Sequence, residues 1–127
     1  MFKYDLYLYN LNSKFCGDLM LYLYEQEVLK LIKRIVYNNS DLIYLAVLYG
    51  SLASGKHTPE SDVDVLIVGK QEAKRKLLDE FSEVYLKFFI PISLLYYTLE
   101  QFKKVNFHTF IKEVLREGKI LWKRRID

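Results

Sequence analysis

Two apolar segments separated by a short polar loop constrain the fold of this 127-residue chain more than any other feature. The first, at residues 42–49 (LIYLAVLY), is uninterrupted, which is typical of a strand buried on both faces. In the second, at residues 63–68 (VDVLIV), the side chains alternate, so that Asp62 and Asp64 point to one face of the sheet. The connection of about a dozen residues leaves little room for a crossover helix, so we expect adjacent, antiparallel strands.

The remaining segments alternate between helical and extended patterns. Apolar residues at helical spacing predict a helix from Glu25 to Asn38 and a second over residues 73–88. A third strand is expected at residues 90–97, then a helix that ends at Gly118, and last a short strand around residues 120–122. Thr98 and Gln101 have the spacing of a capping box. This order predicts an α/β fold, in which helices cover a small mixed β-sheet.

The tyrosine-rich start of the chain is set apart from the rest. We predict an N-terminal extension at residues 1–24 and a single domain at residues 25–127, a length that fits one domain. A hairpin that turns at residues 10–12 and a short helix before Glu25 are both compatible with the extension. The pattern leaves open whether this segment docks a partner or thickens the sheet.

Composition excludes several classes of protein. With 51% hydrophobic and 28% charged residues the chain is too apolar to be disordered, and a net charge of +3 is too small to predict a nucleic-acid partner. The single cysteine, Cys16, rules out an internal disulfide and indicates a reducing compartment, so we expect a cytoplasmic protein. No apolar run approaches the roughly 18 residues of a membrane span, so no membrane association is expected.

The residues suited to chemistry lie between the first two strands. Gly50 and Ser51 end the first strand, ten residues follow (52–61), and Asp62 and Asp64 open the second. A Gly-Ser turn can direct N–H groups and a hydroxyl at phosphate oxygens. Carboxylates at positions i and i+2 of one strand project in parallel and suit Mg²⁺, which also binds substrate phosphates.

This arrangement resembles the minimal nucleotidyltransferase branch of the DNA polymerase beta-like nucleotidyltransferase superfamily. The similarity rests on G-S, a ten-residue gap and S-D-x-D between two hydrophobic strands. It implies the nucleotidyltransferase fold, nucleotide binding by Gly50 and Ser51, and a catalytic, metal-binding role for Asp62 and Asp64. The implied reaction uses Mg²⁺ and transfers a nucleoside monophosphate from ATP or another triphosphate.

Two positions depart from the family pattern. Members often read A-R-G after the G-S, whereas this chain has Ala53-Ser54-Gly55. A third carboxylate is usual on the strand after the second helix, and Ser93 stands there instead. Asp62 and Asp64 would still hold one Mg²⁺ and a triphosphate, but without a base the chemistry would be slow.

The resemblance also implies a protein acceptor. Proteins of this branch are often paired with a small all-helical HEPN protein, and the transferase acts as antitoxin by adding AMP to a tyrosine of the toxin or by binding it. We therefore expect the acceptor to come from a HEPN-type partner or a homo-oligomer mate. The alternative is a non-catalytic subunit that neutralises or regulates its partner by contact, and transfer to a small molecule such as an aminoglycoside is the weaker third interpretation.

Overall fold

The computed structural model describes the backbone of residues 13–50, 53 and 62–124, and the side chains from residue 25 onward within those ranges. Its strands form one mixed sheet in the order β3-β2-β1-β4. They are β1 (Ile43–Tyr49), β2 (Val63–Gly69), β3 (Ile92–Tyr97) and β4 (Lys119–Lys123). β1 is antiparallel to both β2 and β4, whereas β3 is parallel to β2. The predicted α/β class and the antiparallel pairing of the first two strands are confirmed.

Helices account for most of the remaining described residues. They are α1 (Ser13–Asn38), α2 (Lys74–Phe88), α3 (Leu99–Val105) and α4 (Thr109–Glu117). Not one of the helices in the described ranges is long and apolar enough to cross a membrane.

The first helix begins earlier than its apolar stripe indicates. α1 starts at Ser13 rather than Glu25, so residues 13–24 continue the same helix and do not form a separate short one. Residues 18–23 contain leucine and methionine, which are strong helix formers without a one-sided pattern. The hairpin considered around residues 10–12 lies outside the described residues, and the domain boundary after residue 24 stays a prediction.

Two short helices connect β3 to β4, where the predicted order has one. Thr98 caps α3 with the expected capping box: Gln101 N–H donates to Thr98 Oγ1 at 3.2 Å, and Thr98 N–H donates to Gln101 Oε1 at 2.9 Å. The chain then turns at residues 106–108 before α4, whose last turn ends at Gly118 as predicted. Asn106, a weak helix former, occupies the C-cap of α3 and separates the two helices.

α1 and α2 cover one face of the sheet and enclose most of the core. Alternate residues of the strands point to this face and pack against the apolar stripes of both helices. The largest fully buried side chains here are Ile32, Ile43, Leu48, Ile67 and Leu77. This face therefore supplies most of the buried apolar surface among the described residues.

α3 and α4 cover the other face with a much smaller cluster. Its buried members are Val47, Leu66 and Val114, and partly buried leucines and aromatic residues surround them. Tyr49 packs edge-on against Phe110 of α4, with the ring centroids 6.0 Å apart. The cluster reaches the end of β1 at Tyr49, and the predicted site lies at this end of the sheet, where β2 and β3 begin.

Candidate active site

The turn that ends β1 brings the backbone of Gly50 against the carboxylate of Asp64. Gly50 has a φ of +79°, in the left-handed region where other residues are strained. A Cβ atom at this position would overlap Asp64 Oδ2 and would lie 3.3 Å from Asp64 Cγ. The positive φ favours glycine here, and a Cβ would also displace the carboxylate of Asp64. The nucleotide-binding role of Gly50 itself stays a prediction.

The two carboxylates lie at the start of β2, on the face that α3 and α4 cover. Asp62 immediately precedes the strand and is exposed, whereas Asp64 lies within it and is half-buried. The β1–β2 register places Asp64 opposite Tyr49, next to Gly50. Because strand side chains alternate, both carboxylates project to the same side, about 6–7 Å apart at the backbone. The structure therefore brings together the glycine and the acid pair that the sequence singles out.

The electrostatics of this pair favour a cation. Partial burial raises the pKa of Asp64 above that of an ordinary aspartate, and the negative charge of Asp62 raises it further. No described lysine or arginine forms an ion pair with either carboxylate. A divalent cation between them would relieve the repulsion that raises this pKa.

The donor set fits Mg²⁺ only if other oxygens complete it. In the part of the chain that the structure describes, no three His, Cys, Asp or Glu side chains are grouped closely enough to hold a metal ion. Asp62 and Asp64 would thus supply two carboxylates, and the remaining ligands would be water and substrate phosphate. Mg²⁺ is commonly bound in this way, through one or two carboxylates together with phosphates and water.

Ser93 occupies the position at which the family usually has a third acid. β3 is parallel to β2, and its register places Ser93 directly beside Asp64. Ser93 is exposed, and its side chain projects to the same face as that of Asp64. The residue beside the acid pair on the neighbouring strand is therefore a neutral hydroxyl.

Part of the predicted phosphate-binding segment lies outside the described residues. This holds for Ser51 and for residues 54–61. Ala53 is described and packs against the larger core. The assignment of Ser51 as a nucleotide-binding residue stays a prediction.

An aromatic and acidic groove beside the carboxylates is a feature that the sequence patterns missed. The groove has a volume of about 160 Å³ and is lined by Tyr49, Phe110, Glu113, Val114 and Glu117. Burial raises the pKa of the Tyr49 hydroxyl, and the nearby charges of Asp64 and Tyr97 raise it further. In sequence Tyr49 is only the last residue of an apolar run. Its place beside Asp64 follows from the register between β1 and β2, which no pattern within one strand gives.

Comparison with known proteins shows which proteins this chain is similar to. Two of them are MJ0604 and MJ0141 of Methanocaldococcus jannaschii, each named as a proposed protein adenylyltransferase. MJ0604 is 38% identical over 77 residues, which cover 60% of this chain and 75% of MJ0604. MJ0141 is 35% identical over 100 residues, which cover 72% of this chain and 96% of MJ0141.

The fold is also similar to that of a solved structure. A crystal structure of a toxin–antitoxin complex with AMP-PNP superimposes with a TM-score of 0.54 at 18% identity, covering 76% of this chain and 73% of that chain. At this identity the likeness concerns the fold. The sequence matches the family described as "Polymerase beta, Nucleotidyltransferase" over residues 30–127, a range that contains both carboxylates, Gly50 and the whole sheet. The chain therefore belongs to the polymerase beta nucleotidyltransferase family.

Proposed function

We propose that this chain is a Mg²⁺-dependent adenylyltransferase that moves AMP from ATP onto a hydroxyl of a partner protein. The observation that carries the proposal is the acid pair Asp62 and Asp64 at the start of β2, with the Asp64 carboxylate against the backbone of Gly50 at the end of β1. Two relatives named as proposed protein adenylyltransferases support the class of acceptor. A neighbour in fold that was crystallised with AMP-PNP supports an adenine nucleotide as the donor.

Each residue of the site has a distinct part in this proposal. Asp62 and Asp64 hold Mg²⁺, which when bound offsets triphosphate charge and stabilises the leaving pyrophosphate. Gly50 lets the end of β1 approach the phosphates, and Ser51 donates hydrogen bonds to their oxygens. The aromatic groove beside Tyr49 lies next to the acid pair and offers an apolar wall to the nucleoside or to the acceptor side chain.

The reaction is a displacement at the α-phosphorus of ATP. The oxygen of the acceptor hydroxyl forms a bond to that phosphorus, the bond to the bridging oxygen breaks, and pyrophosphate leaves with the electron pair. Ser93 carries no negative charge at neutral pH, so the acceptor proton passes to water or to a base of the partner. Lack of a positioned base lowers the rate by about 10²–10⁴-fold, and this chain would be a slow enzyme.

The partner in this proposal is a small helical protein of the HEPN type, and the chain acts as the antitoxin of the pair. Support comes from the toxin–antitoxin complex that shares the fold. A partner that supplies the acceptor hydroxyl also explains why Asp62 is exposed and Asp64 is only half-buried at this end of the sheet. Adenylylation of a single reactive hydroxyl needs few turnovers, which suits a slow enzyme.

Calorimetric titration of ATP with Mg²⁺ tests the acid pair directly. The Asp62→Asn, Asp64→Asn double variant removes both charges without changing side-chain shape, and we expect it to lose the binding heat of the wild type. Asp41→Asn is the matched control, since Asp41 is an exposed aspartate at the opposite end of β1. Equal binding by the double variant and the wild type would contradict the proposal.

A second candidate function is neutralisation of the partner by contact alone, and the neutral Ser93 beside Asp64 favours it. Intact-mass measurement of the co-purified partner distinguishes the two. An enzyme adds the mass of one AMP to the partner, and Asp64→Ala abolishes both this addition and the protection against toxicity. A pure binder leaves the partner mass unchanged, and Asp64→Ala protects as well as the wild type does.

A further inference from the structure

The two edges of the sheet are protected very differently. β4 has a lysine at each end, Lys119 and Lys123, and its pairing with β1 contains a register shift between Ala46 and Val47. β3 has the sequence ISLLYY, without a charge, a proline or an irregularity in its register. Natural proteins blunt their sheet edges with charges, prolines, bulges or a covering element. Within the strand β3 has no such feature, and no described residue pairs with its outer edge, so this edge is suited to pairing.

The free hydrogen-bonding groups of this edge can be identified from the register. Val63 N–H donates to Pro91 C=O at 2.9 Å, and residue pairs continue without a shift from there to the end of β3. In a parallel ladder the backbone groups of alternate residues face the same neighbour. The N–H and C=O groups of Ile92, Leu94 and Tyr96 therefore point away from β2.

An apolar stripe on α2 lies alongside the same edge. Leu78, Tyr85, Leu86 and Phe89 are exposed to 38%, 44%, 67% and 80%. A groove of about 290 Å³ separates α2 from β3, and it is lined by Leu78, Phe81, Ser82, Tyr85, Pro91, Ile92 and Leu94. The Ser82 hydroxyl donates to Leu78 C=O at 2.8 Å, which satisfies this polar group within its own helix. We call this stripe, together with the free edge of β3, the β3-edge surface.

Phe89 has an unusual backbone for so exposed an aromatic residue. It forms the C-cap of α2 with φ 59° and ψ 26°, a left-handed conformation that glycine usually supplies. A bulky residue with positive φ is strained, and a ring that is 80% exposed gains little packing within the chain. Strain of this kind points to a role for the ring outside the isolated chain.

We infer that the β3-edge surface binds a second copy of this chain. The charged residues that flank this stripe at helical spacing are Lys74, Arg75, Asp79 and Glu83, two of each sign, and Arg75 Nε lies 3.6 Å from Asp79 Oδ1, so the stripe is nearly neutral. Two copies of a neutral surface can meet without like-charge repulsion, whereas a strongly charged partner would find no complementary charge on it.

The strand edge is self-complementary under a two-fold axis. Antiparallel pairing centred on Leu94 places it opposite Leu94 of the partner subunit and places Ile92 opposite Tyr96 of the partner subunit. Every outward backbone group then meets a group of the opposite kind, and the sheet continues across the axis. The two α2 stripes lie on the same side of that sheet, where each covers the groove of the other.

Sedimentation velocity of the full chain over a wide concentration range tests this inference. The wild type is expected to dimerise, and Tyr85→Lys or Leu86→Lys is expected to weaken the dimer by about 30-fold or more in Kd. Both side chains are largely exposed, so these changes spare the core. Phe107→Lys is the matched control, because Phe107 is 63% exposed but lies between α3 and α4.

A second variant separates the interface from the strain at Phe89. Phe89→Gly is expected to weaken the dimer and yet, in the Leu86→Lys background, to increase the resistance of the monomer to urea. The inference is overturned if the wild type is monomeric at every concentration, even if another protein binds this surface. It is also overturned if Tyr85→Lys and Leu86→Lys leave the dimer unchanged.

Discussion

The two faces of the sheet share the same strands but have different tasks. The face under α1 and α2 is almost entirely apolar, and Asn39 is the buried polar residue of the described chain at 1% exposure. The face under α3 and α4 has a small cluster and ends in Asp62 and Asp64. β2 serves both, since Val63 and Val65 face the large core while Asp64 faces the site. A one-residue slip would bury the acid, so register and chemistry depend on each other.

The largest expected effect on stability comes from the α1–α2 face. Ile32→Ala removes a side chain that is 0% exposed between α1 and the sheet. Loss of transfer free energy and the remaining cavity together lower the free energy of unfolding by about 2–5 kcal/mol. Urea denaturation measures this change, and calorimetry tests whether the folded fraction keeps its affinity for Mg²⁺ and ATP.

Ile120→Ala is the control for that comparison. Ile120 is 55% exposed on the edge strand β4, so the same truncation there should lower the free energy of unfolding by well under half as much. A loss of nucleotide affinity in the folded fraction of Ile32→Ala would contradict the conclusion that the α1–α2 face stabilises the fold while the opposite face carries the site.

On the opposite face, Ser93→Asp is expected to accelerate the proposed reaction. The substitution places a carboxylate beside Asp64 in the β2–β3 register, where it can accept the acceptor proton. Ser93 is exposed, so the new side chain needs no space in the core. We expect an increase of about 10²-fold in the rate of AMP transfer, measured by single-turnover labelling of the partner.

Ser93→Asn is the matched variant for this test. Asparagine has nearly the same shape as aspartate but accepts no proton, so it should leave the rate near that of the wild type. Equal acceleration by both variants would show that shape or orientation, rather than base catalysis, limits the reaction.

The sequence predicts the strands of this fold better than the surroundings of its site. Apolar runs and alternation place β1 and β2 to within a residue, and Thr98 with Gln101 marks the start of α3. These are local patterns. The position of Tyr49 beside Asp64 depends instead on the register between strands, which a single sequence leaves open.

The same limit applies to Phe89. Its left-handed backbone results from the turn between α2 and β3, and phenylalanine gives no local signal for it. The early start of α1 escapes prediction for a different reason, since its apolar residues follow no one-sided stripe and only their helix propensity indicates a helix.

Tyr96 forms a hydrogen bond on the α1–α2 face, and its loss is expected to have a smaller effect on stability. Its hydroxyl donates to Lys70 C=O at 2.5 Å, and the residue is 8% exposed. Tyr96→Phe removes this hydrogen bond, although Lys70 C=O still accepts from Ala73 N–H at 3.0 Å, and we expect the free energy of unfolding to fall by about 1–1.5 kcal/mol. Leu42→Ala is the comparison variant, because it would remove packing from the same corner without removing a side-chain hydrogen bond. Urea denaturation at neutral pH measures the free energy of unfolding of both variants.

The same residue predicts a change with pH. Burial, and secondarily the charge of Glu72, raises the pKa of Tyr96 to about 12, above the value near 10 in the unfolded chain. Folding thus favours the protonated hydroxyl, and this contribution is fully present below about pH 10 and is lost as the pH rises through 12. The stability difference between wild type and Tyr96→Phe should shrink over that window. A difference that is constant with pH would contradict the assignment.

The smallest expected effect lies on the α3–α4 face, at the cap of α3. Thr98→Ala removes the acceptor for Gln101 N–H, and the lost cap lowers the free energy of unfolding by about 1 kcal/mol. α3 carries Phe102, which packs against Tyr97 with the ring centroids 6.4 Å apart, so fraying of its first turn loosens the cover beside the site. Thr98→Ser keeps the hydroxyl and should restore the stability. If Thr98→Ala also weakens binding of Mg²⁺ and ATP while Ile32→Ala does not, the small cluster positions the site as well as covering the sheet. If both variants bind equally well, the role of the small cluster is limited to stability.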